Sequence, residues 1–63
     1  MDNIIIRKSK VNETLVLIQG QGKVYRIYLE GKEKTNGLEY GKVSDYFNEV
    51  EAVLKLRQEQ EGV

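Results

Sequence analysis

A chain of 63 residues makes one domain at most, near the size at which a single hydrophobic core is barely sufficient. The absence of Cys and His excludes disulfides and leaves only carboxylates and carbonyls as metal ligands, and ten basic against ten acidic residues give no net charge. A small fold without a covalent or metal staple gains burial most readily from a second copy of itself, so size alone predicts a homodimer.

In chain order, Asn3 to Lys8 reads as a first strand centred on Ile4, Ile5 and Ile6, because three β-branched residues in a row favour an extended backbone. Lys10 to Glu13 is a polar turn. The stretch from Thr14 to Glu30 then carries two apolar runs around Gly20-Gln21-Gly22, the signature of a β-hairpin. In its second run Tyr25, Ile27 and Leu29 share one face, while Val24, Arg26, Tyr28 and Glu30 share the other. The first run does not alternate: Leu15 and Leu17 point one way, Val16 and Ile18 the other, and all four want cover. Glu30 to Gly41 is the least regular part, with Asn36-Gly37 as a turn signal and Leu38-Glu39-Tyr40 as a short strand ending at Gly41.

From Val43 the period lengthens. Val43, Tyr46, Phe47, Val50, Val53 and Leu54 recur at helical spacing, with Ser44 as a cap and Asp45 in an acidic first turn. Glu49, Lys55, Gln58 and Glu59 form the solvated face. Residues 52–57 also alternate in part, so a closing edge strand competes there with a continuous helix. The expected architecture is one α+β domain over 1–63: a small antiparallel three- to four-stranded sheet with one amphipathic helix. One helix covers one face, and the second face of the greasy 15–18 run predicts a dimer again.

Charge is uneven along the chain. Through Gly37 there are seven Lys or Arg against four Asp or Glu, and from Leu38 onward three against six. Arg7, Lys8, Lys10, Lys23 and Arg26 with Tyr28 are the raw material of a nucleic-acid surface, and the carboxylates of the second half point to the inverse, a surface that mimics phosphates.

Catalysis is not expected. There is no His to shuttle protons and no Cys nucleophile, and Ser9, Ser44, Thr14 and Thr35 have no evident base beside them. Asp45 and Glu49 stand one helical turn apart, which fits a cap residue plus a solvent carboxylate better than an acid–base pair. Gly20-Gln21-Gly22-Lys23 lacks the Ser/Thr ending of a phosphate loop and precedes a strand, so it reads as a turn. No cofactor and no metal are implied. Tyr25, Tyr46 and Phe47 suit helix-on-sheet packing, whereas Tyr28 shares the less apolar strand face and is a contact candidate.

These residues together resemble the small uracil-DNA glycosylase inhibitors of certain Bacillus phages. The resemblance rests on Gly22, Lys23, Tyr25, Tyr28 and Gly31 in the hairpin, Ser44-Asp45-Tyr46 with Phe47 opening a helix, the Tyr40-Gly41 pair, and Lys55-Leu56-Arg57. It implies a homodimer that occupies the DNA-binding cleft of the host glycosylase, with an apolar pocket between copies for the side chain the enzyme wedges into DNA. By motif, Tyr46 or Phe47 would line that pocket, or Tyr40 if the Tyr-Gly pair is the true counterpart, and Glu49 and Glu39 would stand in for phosphates. The family also places a strand after its helix, which revives the strand reading of 53–57 beside the continuous helix that the strong helix formers there predict.

Two other functions compete: a dimeric single-stranded nucleic-acid-binding module, resembling the four-strand-plus-helix coactivator fold, and a structural dimerisation protein. The opening Met1 to Arg7 is too short and wrongly flanked for a signal peptide, and no segment approaches a membrane span, so the expected location is cytoplasmic.

Overall fold

The computed structural model describes residues 3–61; Met1, Asp2, Gly62 and Val63, part of the expected 1–63 domain and of the opening stretch read for a signal peptide, lie outside the described residues. Four strands run as an antiparallel meander, β1 (Ile4–Lys8), β2 (Val16–Gln19), β3 (Tyr25–Leu29) and β4 (Lys32–Gly37), and one helix follows, α1 (Tyr40–Glu61). The α+β class is as the residue pattern predicts, with the four-strand alternative realised.

The central hairpin forms where its β-branched runs place it. Leu17 faces Ile27 across the β2–β3 ladder, Ile18 faces Arg26 and Val16 faces Tyr28, so the predicted alternation sets which face is dry. Gly20 donates its backbone N–H to the Val24 carbonyl at 2.9 Å, and Gly22 and Lys23 both take left-handed φ, of 71° and 60°. Glycine adopts that conformation without a Cβ penalty, which is why the connection carries one there.

The stretch expected to be irregular is instead a second hairpin. Glu30 and Gly31 have φ of 54° and 79°, two successive left-handed residues as a two-residue type I′ turn requires, and β4 follows at once. Asn36-Gly37, read as a turn, closes β4, and the short strand expected over Leu38 to Tyr40 is absent because Tyr40 already begins the helix. The cause is topological: β4 is an edge strand, where a polar run such as Lys-Glu-Lys-Thr-Asn is ordinary and strand propensity counts for little.

The helix also differs from expectation at its start. Val43 donates to the Glu39 carbonyl at 3.2 Å, so the first turn lies before Ser44: Ser44 does not cap the helix, and Asp45 is not in its first turn. Tyr40 is already helical, so Val43, from which the helical period is counted, lies within the helix rather than ahead of it, and the packed face keeps the expected phase. At the other end α1 continues through Glu61, so residues 52–57 are helical and the closing strand is not formed.

Leu15, Leu17, Ile27, Val43 and Phe47 form the buried core, with Tyr25, Leu29, Val50 and Leu54 packed around it. The helical stripe is narrower than its sequence period: Tyr46 and Val53, seven residues apart on one flank, remain exposed. The second face of β2 is partly closed within one chain, since Ile18 is only 6% exposed. Ile5 and Arg26 are its cross-strand neighbours, and a methyl added at Gly20 would meet Arg26 Nη1 at 3.0 Å, which places the arginine along that face.

The β1–β2 loop is tied to the helix rather than left loose. The buried Ser9 hydroxyl donates to Glu51 Oε2 at 2.8 Å and accepts the backbone N–H groups of Val11 and Asn12 at 3.0 and 3.2 Å. Gln58, expected on the solvated face, donates to the Val11 carbonyl at 2.8 Å. These bonds satisfy loop backbone and tie the far half of α1 to the loop on either side of Leu54, the last helical residue packed against the core.

Candidate protein-docking cleft

The chain leaves β4 at Gly37 and enters α1 two residues later, which holds the first turns of the helix beside the end of an edge strand. Between them lies an open cleft of about 540 Å³, floored by Val43 and walled by Thr35 to Gly37 on one side and by Leu38, Glu39, Lys42 and Tyr46 on the other. Gly37 lets the end of β4 lie close to that floor: a Cβ there would stand 3.3 Å from Val43 Cγ2. Leu38 is 70% exposed at its edge, and Glu39 pairs with Lys42 across one helical turn at 3.1 Å. Val53 continues the exposed apolar flank beyond Tyr46, and Leu56 is also exposed.

The structure brings together only part of the contact set expected from sequence. Glu39 and Tyr46 line the cleft. Tyr40 is exposed near the start of the same helix, its ring set edge-on to Tyr25 at 5.4 Å between centroids. Glu49 is exposed on the helix surface. Phe47 does not contribute to any surface: it is wholly buried, with the Arg7 guanidinium 4.5 Å from its ring centroid. Arg7 is held there by Glu51 at 3.7 Å and by donation to the Ser44 hydroxyl at 3.4 Å. Tyr28 lies on the helix-free face of the sheet beside Val16 and Glu33, so it shares no site with the helical residues.

Leu38 was not among the expected contact residues, although Glu39 and Tyr40, read in the same short strand, were. Its signal was present in the sequence all the same, an apolar residue isolated between Gly37 and Glu39.

Charge separates by layer. Among the described residues, the sheet and its connections through Gly37 hold seven basic side chains against three acidic, and the part from Leu38 onward holds three against six. On the helix-free face Arg26 is engaged by Glu33 at 3.6 Å, and Asn36 donates to the same carboxylate at 2.7 Å. Among the described residues no group of three or more acidic side chains is placed to hold a metal ion, and no helix is long and apolar enough to cross a membrane.

Comparison with known proteins adds no relative: no family model matches the chain, and no curated protein or solved structure matches it. Residues 53–57, where the glycosylase-inhibitor resemblance implies a strand, are helical, and Tyr40-Gly41 and Ser44-Asp45 fall in consecutive turns of one helix.

Proposed function

We propose that this chain is a non-catalytic protein-binding module that takes an apolar side chain of its partner into the β4–α1 cleft. The observation that carries the reading is the cleft itself, an open apolar recess with an exposed leucine at its mouth and a tyrosine on its wall. Aromatic and aliphatic anchors seated in such recesses supply most of the binding energy of small interfaces. Asp45 and Glu49 are exposed on the same helix and would steer a basic partner surface toward it.

In its sharpest form the partner is a uracil-DNA glycosylase, the helical carboxylates standing where phosphates would and the cleft receiving the side chain the enzyme inserts into DNA. That form differs from the resemblance in one respect, since the cleft belongs to a single copy rather than to the junction of two. A glycosylase assay on uracil-containing DNA tests it: a severalfold molar excess of this protein should abolish cleavage, and Leu38→Asp should restore it. Unchanged cleavage at that excess removes the glycosylase as partner.

A second reading is favoured by the division of charge between layers and by the order of four strands followed by a helix. Here Lys8, Arg26 and Tyr28 on the helix-free face would bind a single-stranded nucleic acid. Affinity for labelled single-stranded DNA that falls steeply with added salt and is lost in Tyr28→Ala supports this reading over the first.

A further inference from the structure

We propose that two copies of the chain associate through β1, pairing their first strands antiparallel so that two four-stranded sheets become one of eight. The meander leaves two edges, β1 and β4. β4 is guarded in the ways edge strands are usually guarded: it carries Lys32, Glu33 and Lys34, and it loses register opposite Ile27 and Tyr28. β1 presents Ile4, Ile5 and Ile6, at 62%, 57% and 40% exposure.

The disposition of these isoleucines selects the kind of partner. Ile4 stands beside Gln19, on the helix side of the sheet, and Ile5 stands beside Ile18, on the opposite side. A lid laid on one face covers one of them and leaves the other wet. A strand alongside covers both, and it also satisfies the open backbone N–H and C=O groups of the edge. The partner is a second copy because the strand is complementary to itself when reversed. With Ile5 opposite Ile5, Ile4 of each copy lies beside Ile6 of the other and Asn3 beside Arg7.

Reversal also keeps the basic ends, Arg7 and Lys8, at opposite ends of the ladder, whereas parallel pairing would set like charges against each other. The register break between Ile5 and Arg7 confines pairing to a few residues, so the association is expected to be concentration-dependent. The β4–α1 cleft lies at the far edge of the sheet and stays open in this arrangement, so self-association and partner docking stand or fall separately.

Light scattering during size-exclusion chromatography, over a range of loading concentrations, is the test. The expected mass rises from 7.3 kDa toward twice that value. Ile5→Lys should return it to the single-chain mass with an unchanged circular dichroism spectrum, while Val53→Lys, on the exposed helix flank, should leave the rise intact. If Ile5→Lys does not fold, amide exchange in the unaltered chain answers instead: protection at residues 4–6 should increase with protein concentration. A single-chain mass at every concentration overturns the proposal. So does a dimer that survives Ile5→Lys, or protection at residues 4–6 that ignores concentration.

Discussion

Replacing Phe47 with alanine separates a packing role from a contact role. The ring is fully buried among Leu15, Leu17, Ile27 and Val43, and one side of it supports the Arg7 guanidinium. Truncating a buried phenylalanine costs about 3–5 kcal/mol, and loss of the cation–π contact adds about 0.5–1 kcal/mol. At roughly 0.05–0.15 kcal/mol per residue, a domain of this size has about 3–9 kcal/mol to lose. Phe47→Ala should therefore remove at least about two-fifths of the folding free energy, and all of it where the starting stability lies at the lower end of that range. Urea unfolding followed by far-ultraviolet circular dichroism measures this directly, with Phe47→Leu as a conservative companion expected to cost less than about 1.5 kcal/mol. A loss below about 1 kcal/mol for Phe47→Ala would refute the packing of α1 against β2 and β3 described above, because no relaxation around so complete a burial makes it that cheap.

Ser9→Ala removes a donor to Glu51 and orphans the N–H groups of Val11 and Asn12; a cost of about 1–3 kcal/mol in urea unfolding is expected, against almost none for the exposed Thr14→Ser. Gly31→Ala isolates backbone strain, because an added Cβ meets nothing within 4 Å while φ is 79°; a loss of about 1–2 kcal/mol is expected, and no loss would show that the tight turn is not left-handed there. Leu38→Asp should change folding stability by less than about 0.5 kcal/mol yet weaken a bound partner by about tenfold or more, read by calorimetric titration.

The parts of the fold governed by short-range periodicity were legible in the residues. Alternation in Tyr25 to Leu29 set the dry face of the hairpin, and the spacing of Val43, Phe47, Val50 and Leu54 set the packed face of the helix. What escaped was decided by neighbours distant in sequence. β4 has no apolar pattern of its own and is a strand because β3 offers it a ladder, and the signal of its turn, Glu30-Gly31, was outweighed by the stronger dipeptide Asn36-Gly37. Residues 52–57 satisfied two periods at once, and length and helix propensity resolved them toward helix.

The candidate site was legible only in part for a related reason. Glu39 and Tyr46 line the cleft as members of the expected contact set, but Phe47 is drawn into the core one position on, since adjacent helical residues differ by about 100° in direction. Ser9 and Gln58, which hold the loop to the helix, carry no local signal because their partners are 42 and 47 residues away.

The most direct test of the docking reading is to select binders from a random peptide library displayed on phage and map the tightest one on the isotope-labelled chain by amide chemical shifts. Selected peptides should share an apolar anchor residue, and the shifts should concentrate at Gly37, Leu38, Glu39, Lys42 and Tyr46 and disappear in Leu38→Asp. Shifts centred instead on Val16, Arg26 and Tyr28, or a library that yields no binder, would contradict it.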